Sequence, residues 1–303
     1  MIQVIATTPY TDQKMGTAGL RKKSKVVMQE HYFENFLQSI FNTIDPAGKT
    51  FVVGGDGRFY NSIAIQKLIK MAAANGVKKL IVGQNGFLST PASSNMILKR
   101  RTDGGFVLSA SHNPGGENGD FGIKFATETG GQCSSRVSDR IFAVSQTISE
   151  FKTVDAADID LSRLGTQNLE GMEIEIVDPI SDYVELMEKI FDFELIKKMF
   201  ANGFTMRFDA MNAVTGPYAI RIFEEILGAA KGSVLNAVPK PDFGGLHPDP
   251  NLVYAKELVN IMYADDAPDF GAANDGDGDR NMILGKKFFV TPSDSLAILT
   301  DNY

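Results

Sequence analysis

Short apolar runs alternate along this chain with stretches of helical spacing, and that order constrains the fold more than any other feature. Residues 50–53 form a strand-like run. Residues 61–74 then space their apolar side chains at helical intervals and stop at Asn75-Gly76, and residues 79–82 supply the next strand. Strand, helix and strand in sequence predict a βαβ layer with helices covering the sheet. After a polar stretch around residues 155–170, Glu173-Ile174-Glu175-Ile176-Val177 alternates like an edge strand, and residues 183–200 read as a helix leading into a second unit. There, residues 204–210 are the expected first strand, Gly216-Pro217-Tyr218 opens a helix, and residues 269–273 form a further strand. At 303 residues the chain exceeds the usual size of one core. The expectation is an α/β protein of two consecutive domains, each a mixed sheet covered by helices, spanning 1–187 and 188–303.

The last of these strands runs into Asn274-Asp275-Gly276-Asp277-Gly278-Asp279-Arg280. In an extended or tightly turned backbone, residues i, i+2 and i+4 project to one side, so three carboxylates converge and repel. Hard oxygen donors in a small cluster suit Mg2+, and the two glycines let the backbone close around an ion. Asp275, Asp277 and Asp279 are therefore candidate metal ligands. The competing EF-hand pattern fails, because its sixth position would be Arg280 in place of glycine and its twelfth Lys286 in place of glutamate.

Far upstream, the apolar run Gly105-Phe106-Val107-Leu108 ends in Ser109-Ala110-Ser111-His112-Asn113-Pro114-Gly115-Gly116. A serine beside a histidine on a glycine-rich loop can be a nucleophile or phosphoryl carrier, although the same residues are also ordinary turn chemistry. The chain then returns through Gly122-Ile123-Lys124-Phe125, a strand carrying a lysine that could donate a proton or contact phosphate.

These two stretches, with Gly16-Thr17-Ala18-Gly19-Leu20-Arg21-Lys22, closely resemble the α-D-phosphohexomutase family, specifically its eukaryotic-type phosphoglucomutases. The likeness extends through Val52-Val53-Gly54-Gly55-Asp56-Gly57-Arg58, Gly83-Gln84-Asn85-Gly86, Ser89-Thr90-Pro91-Ala92, Asp242-Phe243-Gly244-Gly245 and His247-Pro248-Asp249-Pro250-Asn251-Leu252. Two positions depart from it: Ser109 stands where the family usually has threonine, and Ala18 where it commonly has serine. The resemblance implies the first half of a phosphohexomutase, with domain I carrying the phosphoserine loop and domain II the metal loop. It implies that the sugar-reading and distal phosphate-binding domains are absent, and the chain ends at Tyr303 as a truncated one would.

By the same resemblance, Ser111 is carried as a phosphoserine that also ligates Mg2+ with Asp275, Asp277 and Asp279. Lys124 is the proton shuttle, with His112, which contacts substrate or the nucleophile loop, a second candidate. Arg21 and Arg280 lie near the transferring group, Arg21 among the catalytic residues, and bind the glucose 1,6-bisphosphate that links glucose 1-phosphate to glucose 6-phosphate. Two other readings remain open: a catalytically weak phosphoprotein or scaffold on a mutase fold, and an Asp-nucleophile phosphatase.

A net charge of −7 argues against a general nucleic-acid surface, so the expected partner is a small sugar phosphate, with the chain a monomer or weak oligomer. The single cysteine, Cys133, excludes an intramolecular disulfide and reads as part of an exposed loop. No secretory pattern or membrane-length apolar run is present, so a cytoplasmic location is expected. Ala47-Gly48-Lys49-Thr50 ends like a phosphate-binding loop but has Thr43 where the first glycine belongs; Gly54-Gly55-Asp56-Gly57 reads as a turn presenting Arg58; His31 and His247 read as structural.

Overall fold

A computed structural model describes residues 1–16 and 18–302; Thr17 of the N-terminal motif and the terminal Tyr303 lie outside the described residues. The predicted βαβ layer is the centre of a seven-stranded mixed sheet. Its order is Leu20–Lys23, Asp120–Thr127, Gly104–Leu108, Thr50–Gly55, Lys79–Phe87, Met172–Val177, Gly165–Leu169. The four strands from Gly104–Leu108 to Met172–Val177 run parallel, and antiparallel strands flank them on both sides.

Alternation along the parallel strands explains why both faces are covered. Phe51, Val53, Leu80 and Val82 pack against helices Tyr32–Ile44 and Asn61–Ala74, while Val52 and Ile81 face Ala92, Met96 and Ile97 of helix Thr90–Arg100. Phe106 is the centre of the first layer, with the rings of Phe41, Phe51 and Phe125 at 5.8, 5.5 and 5.3 Å. A separate two-stranded ladder pairs Ile2–Ala6 with Glu150–Val154.

Two expectations are corrected here. Met172–Val177 is not the edge, because Gly165–Leu169, inside the stretch read as polar loop, pairs with it through a turn at Glu170 and Gly171. The helix expected over residues 183–200 is two helices, Ser181–Ile190 and Phe193–Ala201. They break where Asp192 turns out of helical geometry and its carboxylate accepts the Leu195 N–H at 2.9 Å. Residue 187, the expected division between the units, lies inside the first of these helices.

The second sheet has the order Val234–Leu235, Met206–Asp209, Phe270–Asn274, Asn281–Gly285, Phe288–Val290, parallel over its first three strands and antiparallel beyond. Met206, Phe208 and Ala272 bury on one face; Ala273, Met282 and Leu284 bury on the other against Leu258 and Met262 of helix Lys256–Met262. Pro292–Asn302 is helical, as the first-turn proline and Asp294 predict. No described helix is long and apolar enough to cross a membrane.

Candidate active site

The functional loops leave the carboxyl ends of parallel strands, where open α/β sheets place their ligand crevices. Gly104–Leu108 delivers the Ser109–Pro114 loop and Phe270–Asn274 delivers the acidic loop, so residues far apart in sequence meet between the sheets. The hydroxyl of Ser111, itself fully buried, donates to Asp275 Oδ2 at 2.6 Å. Gly276 permits this approach: a Cβ there would stand 2.4 Å from the Ser111 carbonyl oxygen.

Asp275 also organises its own loop. Its Oδ1 accepts the N–H groups of Asp279 and Arg280, both at 3.1 Å, and its backbone oxygen accepts that of Gly278. One carboxylate oxygen from each of Asp275, Asp277 and Asp279 lies within 4.8 Å of the others. Asp277 Oδ1 is buried and has no hydrogen-bond partner. Converging hard oxygens with one left unsatisfied fit a small divalent cation.

Lys124, almost fully buried on the Asp120–Thr127 strand, ion-pairs with Asp277 and lies 3.4 Å from Asp279. The Thr90 hydroxyl donates to Asp277 as well, and the Thr90 N–H donates to the Asp277 carbonyl at 2.9 Å. The carboxylates consequently titrate apart. Burial, then the neighbouring Asp277 charge, pushes the Asp275 carboxyl up to about 7. Burial pushes Asp277 upward too, but Lys124 and the Thr90 bond outweigh it and hold that carboxyl below its usual range.

At the exposed rim, Arg280 Nη1 meets His112 Nδ1; a guanidinium only donates, so Nδ1 is the acceptor and the imidazole keeps its proton on Nε2. Burial, then Arg280, lowers the His112 pKa. His247 lies alongside at 6.4 Å between ring centroids and packs on Tyr254. Arg21 is half-buried on the Leu20–Lys23 strand. Its pKa is lowered by burial and then by the charge of Arg280, with Asp277 opposing. All eight residues singled out from the sequence, Arg21, Ser111, His112, Lys124, Asp275, Asp277, Asp279 and Arg280, thus gather around one cluster.

Sequence reasoning missed Thr90, which bonds Asp277, and assigned no role to Asp56, Arg58 and Ser109. Arg58 is buried and holds Asp56 through Nε at 3.0 and 2.9 Å and Nη2 at 2.8 Å. In sequence the pair shows only as a turn, Gly55-Asp56-Gly57-Arg58, directly after a strand. Cys133, expected in an exposed loop, is half-buried, and burial pushes its thiol up.

A buried serine loop on one α/β unit thus faces an acidic loop on a second. Residues 12–152 match the model of phosphoglucomutase/phosphomannomutase α/β/α domain I, and residues 181–287 match that of domain II. The chain belongs to the phosphoglucomutase/phosphomannomutase family. It is 57% identical to a phosphoglucomutase of Rhizobium radiobacter over 303 residues, covering 100% of this chain and 56% of that protein. It is 52% identical to a chloroplastic phosphoglucomutase of Arabidopsis thaliana over 305 residues, covering 99% and 49%. The crystal structure of the exocytosis-sensitive phosphoprotein pp63/parafusin (phosphoglucomutase) from Paramecium, open form, superposes with a TM-score of 0.96 at 47% identity, covering 99% of this chain and 57% of that one. A phosphoglucomutase/phosphomannomutase family protein from Burkholderia thailandensis shares the fold, with a TM-score of 0.68 at 20% identity, covering 98% and 59%. The chain spans about half the length of the curated relatives it matches.

Proposed function

We propose that this chain carries the phosphoryl-transfer apparatus of a phosphoglucomutase, in which Ser111 alternates between free and phosphorylated forms while glucose 1-phosphate and glucose 6-phosphate interconvert through glucose 1,6-bisphosphate. The observation that carries the reading is the buried Ser111 hydroxyl held on Asp275 at 2.6 Å, with a lysine and two further aspartates around it.

In the first half-reaction the bond between phosphorus and Ser111 Oγ breaks as a bond to a sugar hydroxyl oxygen forms, and in the second a phosphorus–oxygen bond at the other position of the bisphosphate breaks as the bond to Ser111 Oγ re-forms. The attacking hydroxyl gives up a proton and the leaving oxygen takes one up, from sugar to Oγ in the first half-reaction and from Oγ to sugar in the second, with Lys124 assigned to carry it. Arg21 and Arg280 face the bisphosphate and offset its charge. His112, holding Nε2–H outward while Nδ1 accepts from Arg280, donates to the bound phosphosugar. Asp275, Asp277, Asp279 and a phosphoserine oxygen would hold Mg2+, which supplies charge compensation for the transferring phosphoryl group. These assignments favour a serine over an aspartate nucleophile, because Asp275 and Asp277 are already engaged by Ser111, Lys124 and Thr90.

Incubation with glucose 1,6-bisphosphate and Mg2+ should place phosphate on Ser111 by peptide mapping. Phosphate on Ser109, or labelling that persists in Ser111→Ala, would overturn the reading. Assayed by themselves, these 303 residues should turn over more slowly than a phosphoglucomutase of full length. Contacts to remote parts of a substrate orient its reacting hydroxyl, and two charge-assisted contacts at about 1.5–3 kcal/mol each correspond to roughly 10²- to 10⁴-fold in kcat/KM. Equal turnover in a coupled assay would contradict this.

A further inference from the structure

Ser111 has a φ of 56°, in the left-handed region that side chains other than glycine, asparagine and aspartate rarely adopt. Such a conformation persists only where the surroundings over-determine it. Both backbone polar groups of Ser111 lead to one buried ion pair. Its N–H donates to Ser109 Oγ at 2.8 Å, and that hydroxyl donates in turn to Asp56 Oδ2 at 2.6 Å. Its carbonyl accepts from Arg58 Nη2 at 2.7 Å, the same nitrogen that holds Asp56.

Arg58 has nothing left for a substrate. Nε and Nη2 are spent on Asp56 and the Ser111 carbonyl, while Nη1 donates to the carbonyls of Asp120 at 2.8 Å and Asn113 at 3.4 Å. It therefore ties the Ser111 carbonyl to both limbs of the loop that leads from Asn113 back to the Asp120–Thr127 strand. Its remaining exposed surface is closed by the second unit: the buried Phe243 ring lies over the guanidinium at 5.2 Å. The Pro241 carbonyl alongside accepts the N–H groups of Phe59 at 2.8 Å and Gly116 at 3.1 Å. Arg21 and Arg280, by contrast, are only partly buried and stand at the rim.

We propose that Asp56, Arg58 and Ser109 form a positioning clamp that fixes the strained backbone of Ser111 from both sides, with Phe243 of the second unit sealing it from water. The clamp rests on the phosphoserine reading for its catalytic consequence, though its geometry does not. Its three residues touch no substrate; they aim Oγ at Asp275. An ion pair with a planar fork suits the task, because one guanidinium reaches a carboxylate and three carbonyls in fixed directions, which a lysine cannot.

The test is the rate at which glucose 1,6-bisphosphate phosphorylates Ser111, followed by intact mass at several donor concentrations. Ser109→Ala and Arg58→Lys should each lower the saturating rate by ~10- to 100-fold, the scale of a misplaced reacting atom, without changing the half-saturating donor concentration. Ser109→Thr, which keeps the hydroxyl, should restore the rate. A folded Ser109→Ala that labels at the wild-type rate, or one whose loss lies wholly in half-saturation, overturns the clamp. Should Arg58→Lys not fold, the Ser109 pair decides. If the wild-type chain takes no phosphate on Ser111, the phosphoserine reading fails first, and amide hydrogen exchange at Ser111 then tests the clamp alone. Slow exchange in wild type and Ser109→Thr, fast in Ser109→Ala, supports it; equal exchange in all three overturns it.

Discussion

The two loops that meet at the site are held by opposite means. The Ser109–Pro114 loop is fixed by backbone hydrogen bonds into a buried, internally neutral network, and its serine is strained. The Asp275–Arg280 loop is held partly by its own turn, but its carboxylates converge and need cations, which Lys124 supplies only in part. The serine loop is thus pre-organised by geometry and the acidic loop by charge. The first should tolerate changes of ion and pH, and the second should not.

The sharpest test of that contrast is removal of the serine. Ser111→Ala should abolish phosphate incorporation altogether while leaving Mg2+ binding in isothermal titration largely in place, because three carboxylates remain. Equal loss of both would show that the loops are one unit. Next in size, Asp277→Asn should weaken Mg2+ binding by at least 10-fold, since it removes a charged ligand and leaves the buried Lys124 with Asp279 alone, a loss on the 1.5–3 kcal/mol scale of a charge-assisted contact. Unchanged affinity in the titration would remove the basis for calling the loop a metal site. Thr90→Val, which deletes one hydroxyl bond to Asp277, should act in the same direction by a smaller step of about 1 kcal/mol.

How far the sequence discloses this arrangement depends on whether the cause is local. Asn61–Ala74 is read to the residue, because apolar spacing and an Asn-Gly stop lie within it. Gly165–Leu169 is missed because it is polar, largely exposed and paired on one side only, so burial leaves no alternation in it. The break at Asp192 hides inside apolar spacing that continues on either side. At the site, Ser111 and Asp275 are 164 positions apart, and nothing local to either announces the other; only the family resemblance set them side by side. Asp56, Arg58 and Ser109 escape for a related reason. A buried ion pair looks in sequence like a solvated turn, and its meaning comes from the carbonyls that the fold brings around it.

The smallest expected effect bears on the charge side of the contrast. Without metal, Asp275 binds its proton up to about 7, whereas in the unfolded chain it releases it near the ordinary value of 3.8. Between those values the native state holds more protons than the unfolded one, so this contribution to stability is full below about 3.8 and is lost as pH rises through 7. Thermal unfolding of the metal-free chain should therefore show a Tm lower at pH 7.5 than at pH 5, by on the order of 5 °C for this term. Other groups titrate in the same window, so the measurement is the difference from Asp275→Asn, which cannot titrate and should show a flatter profile. Saturating Mg2+ should flatten the wild-type profile too, because a bound cation keeps the carboxylate ionised in the native state and competes with its proton. Parallel profiles for wild type and Asp275→Asn would mean that the Asp275 proton is shed near its ordinary value, and that the acidic loop is organised by its turn as firmly as the serine loop is by its clamp.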